Sequence, residues 1–367
     1  MFKQYKLKNY KFILVLFVVI LNVIGILLIG SAKPSVQSKQ IVGMIAGLSI
    51  MVILSLIDYN FILKFAWLIY LFMLGTLLLV MFAGDDAGGA QRWFEIGGFR
   101  FQPSELAKIL IILFFAYFFM KHEEKINTPK VLIMSLILAG IPLTLILKQP
   151  DLSTTIVTAL IFAALLFVAG LSYKIVVGVL AVSVPSAIIL FTLLIQDKLP
   201  FIKSYQVTRV MAWLYPDDYP ADAYQQQNSI MAIGSGQLWG KGLNNTDATS
   251  VKNGNFIPEP QTDFIFAVAG EELGFIGTVI IIILLLFITI ECILIARKAK
   301  DTAGKMICCG FAALVGFQSL VNIGVASGVL PNTGLPLPFV SYGLTSLLSL
   351  YIGVGLVLNV GLQPKKY

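Results

Sequence analysis

Read from its N-terminus, the chain alternates long apolar runs with short polar connections. Ten runs reach bilayer length, at about 12–31, 40–57, 61–82, 104–120, 131–147, 153–171, 175–195, 264–296, 306–328 and 339–360. A helix needs roughly 20 residues to cross a ~30 Å hydrocarbon core. None of the runs keeps the period-two alternation of an outer-membrane barrel. The pattern predicts an all-α polytopic membrane protein with about ten transmembrane helices. The first run is too long for the apolar core of a signal peptide and has no small-residue cleavage site, so it is expected to be retained.

Composition strengthens this picture. Hydrophobic residues make up 58% of the chain and charged residues 12%, against roughly 25% charged in a soluble domain. The net charge of +7 would suit a polyanion partner, but the placement of the cations argues against nucleic acid. With the N-terminus inside, the inner segments hold fifteen cations: Lys3, Lys6, Lys8, Lys11, Lys64, Lys121, Lys125, Lys130, Lys174, Arg297, Lys298, Lys300, Lys305, Lys365 and Lys366. The short outer loops hold five: Lys33, Lys39, Arg92, Arg100 and Lys148. The positive-inside rule therefore places both termini in the cytoplasm.

Two outer segments break the rhythm of short loops. The first, about 83–103, mixes glycine, aromatics and charge; the second, about 197–262, is far longer than an ordinary connection. Both can form short amphipathic helices on the outer face, and a loop of this length without disorder-prone composition is usually functional. No internal repeat is evident. The expectation is one membrane domain over 1–367 with its working face outside.

Ionisable groups at membrane depth are costly and so mark candidate sites. Glu105 with Lys108, Asp151, Asp263, and Glu271 with Glu272 all fall in the outer half. Glu105 and Lys108 share a helix face, either as a local ion pair or with Lys108 on an anionic headgroup. Asp151 and Asp263 each stand where a helix cap is expected. The proline-rich FIPEPQTDF around Asp263 would also fix its carboxylate. If 263–272 is helical, Glu271 lies about 80° round from Asp263 and can line the same cavity, while Glu272 points away.

The glycines at 234, 236, 240 and 242 are weak support for a phosphate cradle, and flexible turns explain them as well. PNTGLPLPFVSYGLTS, with Pro331, Pro336 and Pro338, is expected to break or re-enter the membrane. Cys292, Cys308 and Cys309 imply neither a disulfide framework nor a zinc site. The single histidine, His122, lies in an inner connection. No Ser-His-Asp or Cys-His nucleophile can be assembled on the outer face.

Five co-linear motifs carry a resemblance that spans nearly the whole chain. AQRWFEIGGFRFQPSELAK (90–108), KQPDLSTT (148–155), YQQQNSIMAIGSGQLWGKG (224–242), FIPEPQTDFIFAVAGEELGFIG (256–277) and NIGVASGVLPNTGLPLPFVSYGLTS (322–346) resemble the SEDS family of RodA, FtsW and SpoVE proteins. RWFEIGGFRFQPSE looks most like the RodA branch. Two positions depart from the family pattern: Gln261 stands where His is common, and Leu344-Thr345 where Gly-Ser is common.

The resemblance implies a peptidoglycan glycosyltransferase that polymerises lipid II at the outer face of the bacterial cytoplasmic membrane. Its role would be cell-wall elongation and shape, or division or sporulation on the other branches. A class B penicillin-binding protein would be its transpeptidase partner. Asp263 matches the family's essential aspartate and Glu271 a further functional acid; Trp93, Gln102, Glu105, Lys108 and Asp151 fall in other motif positions. A lipid pyrophosphate leaves readily once its charge is neutralised, so the chemistry asks for cations and one base. Asp263 is the expected base, with Lys108, Arg92 and Arg209 on pyrophosphate. A divalent cation (Mg or Mn) could ride on the pyrophosphate, although the sequence offers no dedicated cage. The alternative is a lipid II flippase, which would use the same lipid-facing groove without needing a positioned outer base.

Overall fold

A computed structural model describes residues 9–87, 90–96, 99–195, 204–245, 250, 254 and 256–363. The first half of the bundle comprises α1 (Phe12–Ala32), α2 (Pro34–Leu56), the short α3 (Tyr59–Leu63), α4 (Ala66–Ala83), α5 (Pro103–Lys121), α6 (Pro129–Lys148) and α7 (Leu152–Val168). α8 (Tyr173–Ile195), α9 (Ser204–Leu214) and α10 (Pro220–Ser235) follow, and α11 (Ile265–Arg297), α12 (Thr302–Ala326) and α13 (Leu344–Leu362) complete it. Eight of these helices are long and apolar enough to cross a membrane, and α7 and α8 are further apolar helices. Each of the ten apolar runs thus carries one. Four helices (α2, α5, α6 and α10) begin on a proline, whose fixed φ and missing N–H suit the first helical turn.

α5 and α13 form the centre: 78% of their most apolar stretches lies inside the protein, against 28% for the peripheral α2, α4 and α6. The outer helices turn Leu68, Leu71, Phe72 and Leu79 of α4 and Ile133 and Ile137 of α6 outward, as a lipid-facing surface requires. α11 has 33 residues, roughly 50 Å at 1.5 Å per residue. It outruns the hydrocarbon core, and its first turns follow directly on Asp263.

The expectation of short helices in 83–103 is corrected. This segment forms an antiparallel meander, β1 (Asp85–Ala87), β2 (Ala90–Ile96) and β3 (Phe99–Phe101), with Glu95 opposite Arg100. Its alternating aromatic and polar residues fit a pleated strand better than a 3.6-residue period, and Gly97-Gly98 is a hairpin signal in the sequence. In the second outer segment α9 and α10 are helical, as expected; 196–203, 246–249, 251–253 and 255 lie outside the described residues.

The connections sort to two ends. At one, Thr302 donates to Glu123 (2.8 Å), Tyr59 donates to Asp301 (2.8 Å), and Lys300 reaches Gln363 (2.5 Å). The basic connections 121–130 and 297–305 therefore share an end. Lys3, Lys6, Lys8, Lys365 and Lys366 lie outside the described residues. The opposite end gathers the β-meander, α9, α10 and the segments around Asp263 and Pro331–Gly343.

Candidate active site

Beyond α12 the chain folds back as irregular backbone, and its carbonyls are satisfied by polar side chains from across the bundle. Gln226 of α10 donates to Leu330 O (2.7 Å) and Ser153 of α7 to Thr333 O (2.5 Å). Asn322 and Gln318 of α12 donate to Leu335 O (2.6 Å) and Pro336 O (2.9 Å). Asn22 of α1 donates to Phe339 O (2.8 Å) and Gln40 of α2 to Ser341 O (3.3 Å). Non-helical backbone at membrane depth survives only where protein or water covers it, and here the amides do so. Phe339 has φ +64°, a strained value for a side chain of its size. The Asn22 bond and packing of its ring against Tyr351 hold it there.

Asp263 is fixed through its backbone. Three successive carbonyls are bonded: Gln261 O by Tyr342 N (2.8 Å), Thr262 O by the Ser341 hydroxyl (2.6 Å) and Asp263 O by the Asn322 amide (2.7 Å). The rigidity expected from the prolines comes from these tethers. Asp263 is not the cap of α11, which Phe264 provides without a side-chain bond. Gly334, at φ +74°, lies so close that a Cβ there would stand 3.3 Å from Asp263 Oδ2.

The half-buried Asp263 carboxyl is pushed up to about 6, chiefly because burial disfavours its charge. Arg209 and Arg92 pull it down, and Asp151 and Glu105 push it up. Among the described residues no hydrogen bond or ion pair engages this carboxylate. Three of the charges that act on it, Arg92, Asp151 and Arg209, line a cavity of about 120 Å³ together with Ser153, Asn332, Thr333 and neighbouring apolar residues. Arg92 Nη2 donates to Pro150 O (2.6 Å), and the exposed Arg209 reaches Asn332 O (3.4 Å).

Asp151 joins the two halves of this site. It caps α7 through Thr154 N (3.1 Å), and its other oxygen accepts from Gln102 Nε2 (3.2 Å) and the Ser104 hydroxyl (3.5 Å). The cap and the site residue are one.

Two sequence expectations change. Lys108, expected on pyrophosphate, is 1% exposed, and its ammonium is held by Glu105 (2.6 Å) and Gln318 Oε1 (2.7 Å). Because Gln318 also donates to Pro336 O, this buried pair braces the re-entrant segment. Glu271, expected to face Asp263, pairs with Lys241 of the glycine-rich segment (2.8 Å), while Glu272 accepts from Ser31 of α1 (2.5 Å). The physical reason lies at both ends of this stretch: Asp263 stands before the first turn of α11, so helical phase does not relate it to Glu271, and another backbone docks at Gly274. The Gly274 φ of +66° interrupts α11, and the backbone of 236–242 docks there through Lys241 N to Glu271 O (2.9 Å) and Phe275 N to Gln237 O (2.8 Å). A Cβ on Gly240 would meet Glu272 O at 2.2 Å. These glycines allow two backbones to touch and cradle no phosphate in this arrangement.

Residues 6–366 match the family model FTSW_RODA_SPOVE, described as Cell cycle protein. The chain belongs to the FtsW/RodA/SpoVE family. It is 32% identical to the probable peptidoglycan glycosyltransferase FtsW of Geobacter metallireducens, over 98% of this chain and 96% of that one. It is 38% identical to the peptidoglycan glycosyltransferase MrdB of Escherichia coli K12, over 88% and 85%. Among solved structures it resembles a chain of a peptidoglycan synthase complex that coordinates polymerization and crosslinking (TM-score 0.78, 31% identity, 96% and 97% covered). It also resembles the rod shape determining protein RodA of Thermus thermophilus (TM-score 0.68, 28% identity, 96% of each chain).

The two departures from the family pattern have structural tasks in this chain. Gln261 is buried and its amide bonds Glu259. The Thr345 hydroxyl donates to Arg100 O (2.9 Å) and accepts from Gln102 N (3.3 Å), tying α13 to the β3–α5 junction. Trp93 is half-buried on β2, opposite Asp85. A divalent cation finds little here: Asp151 and Glu105 already serve protein donors, and among the described residues no group of three or more metal-binding side chains converges. Ser153, Gln318 and Asn322 escaped the sequence reading, which sought charges. Their signal was uncharged polar residues inside apolar runs, with 318 and 322 one helical turn apart.

Proposed function

We propose that this peptidoglycan glycosyltransferase polymerises lipid II at the outer face of the bacterial cytoplasmic membrane, with Asp263 as general base. The observation that carries this reading is a carboxylate whose backbone is tied at three carbonyls while its own oxygens remain unengaged. A general base works best with a pKa near the operating pH, and burial tunes Asp263 toward it. The acceptor's 4-hydroxyl gives its proton to Asp263 as its oxygen bonds to the donor's anomeric carbon. The anomeric C–O bond to pyrophosphate breaks, with inversion. Arg92 and Arg209 stand where the leaving group's negative charge grows. The resemblance to a chain of a synthase complex supports a class B penicillin-binding protein as partner.

The test is purified protein with labelled lipid II, alone and with such a partner. Glycan polymer that disappears with Asp263→Asn is expected. Movement of lipid II across liposomes without polymer would favour a flippase. Orientation has its own check: cysteines placed at Asn245 and Lys300 should react with an impermeant reagent from opposite sides, position 245 from outside. Labelling of 245 only after the inner face is opened would overturn the assignment of the working face.

A further inference from the structure

We propose that Asn322 is the positioning residue for Asp263, its single amide setting the distance between the base and the re-entrant segment. This rests on Asp263 being the general base. The two N–H bonds of Asn322 Nδ2 run to Asp263 O (2.7 Å) and Leu335 O (2.6 Å). One side chain thus clamps the backbone of the base to the residue after Gly334, where an added Cβ would stand 3.3 Å from Asp263 Oδ2. Asn322 is 1% exposed and stands on α12, whose packing against α5, α7 and α11 makes it a rigid reference. The neighbouring tethers do not replace it: Ser341 and Tyr342 hold Thr262 and Gln261 from the re-entrant segment itself, not from a helix. Among the described residues, Asn322 is the one side chain that bonds both partners from a helix of the bundle. A base serves only within hydrogen-bond reach of the acceptor hydroxyl, and a shift of about 1 Å in a reacting geometry can cost roughly 10²-fold in rate.

Asn22 supplies a matched comparison. It too is a buried amide donating to a carbonyl of the re-entrant segment, Phe339 O at 2.8 Å, and in both residues Oδ1 is buried without a partner. Asn22 does not touch the Asp263 backbone. The experiment compares Asn322→Leu with Asn22→Leu in steady-state polymerisation of lipid II, with thermal unfolding of each. Asn322→Leu is expected to lower kcat by about 10- to 100-fold with KM within about twofold, since a base positions a proton transfer and does not hold the lipid. Asn22→Leu is expected to lose similar thermal stability while kcat changes by no more than about threefold. If the two variants lose kcat equally, or Asn322→Leu raises KM alone, Asn322 is a structural tether and the proposal fails. Should Asn322→Leu not accumulate, Asn322→Ser is judged by the same criteria. Asp263→Asn is assayed alongside. If it keeps its activity, the base reading itself fails; if it is inactive while Asn322→Leu matches wild type, the positioning role alone is lost.

Discussion

Two charged clusters lie within the outer half of the bundle, and they are built on opposite plans. Around Glu105 and Lys108 every charge is closed off: the ammonium touches one carboxylate and one amide oxygen, and the side chains are 2% and 5% exposed. Around Asp263 it is the carboxylate itself that is left open. The carboxylate has no bonded partner among the described residues, Arg209 is exposed, and a cavity lies between the arginines and Asp151. The closed cluster braces the re-entrant segment, whereas the open one keeps the Asp263 carboxylate for something that arrives. Ionisable residues at the same depth can thus be scaffold or chemistry, and what separates them is whether the protein already satisfies them.

The sharpest break of this comparison is Asp263→Asn. Loss of a general base typically costs about 10²–10⁴-fold in rate, and polymer synthesis from lipid II should fall by that order. The fold holds the protonated carboxyl more readily than the ionised one, so ionisation costs stability as pH rises through about 6. Asp263→Asn should therefore be more stable than wild type above pH 6, with the gain fading as pH falls from about 6 to about 4 and absent below that. Wild-type kcat should fall roughly tenfold per pH unit below about 6. A stabilised, inactive variant is the signature of an open site; an active one would remove it.

The closed cluster should behave in the opposite sense. Lys108→Ala leaves Glu105 buried without its cation, and breaking a buried pair typically costs about 3–5 kcal/mol. Thermal unfolding in detergent should show that loss, and activity per folded molecule should change far less than in Asp263→Asn. If Lys108→Ala unfolds like wild type but uses limiting lipid II poorly, Lys108 belongs with the open charges.

Arg209→Ala and Arg92→Ala sharpen the distinction within the open cluster. Each should raise KM for lipid II by about tenfold, one charge-assisted contact to phosphate being worth roughly 1.5–3 kcal/mol. The unfolding temperature of Arg209→Ala should stay at the wild-type value. Unchanged kinetics in both would leave the pyrophosphate without its assigned cations. The smallest effect belongs to α11. Glu271→Gln weakens the Lys241 pair and should slow polymerisation by a few-fold, through the docking of the glycine-rich segment and not through Asp263. Glu272→Gln keeps an acceptor for Ser31 and should cost less; the reverse order would place Glu272 nearer the chemistry.

The sequence by itself determined the ten apolar helices, the sorting of basic connections and the acids of the outer half, because burial in lipid leaves a mark on every residue of a span. It also singled out Asp263, Asp151 and the arginines, since charge near a membrane is conspicuous. It offered the Glu105–Lys108 pair as one of two readings but could not show that Gln318 closes it or that Lys241 pairs with Glu271, because those partners lie 210 and 30 residues away. Helical phase placed Glu271 toward Asp263 on the assumption that 263–272 is one helix; α11 begins only at Ile265, and the docked 236–242 backbone sets the surroundings of Glu271. The meander of 85–101 was missed because its pattern is short and glycine-broken. Only the tertiary structure decided that Asn22, Gln40, Gln226, Gln318 and Asn322, unremarkable polar residues in the chain, converge on one irregular segment. A backbone carbonyl without a helix must find a donor somewhere, and the sequence does not say from how far away it comes.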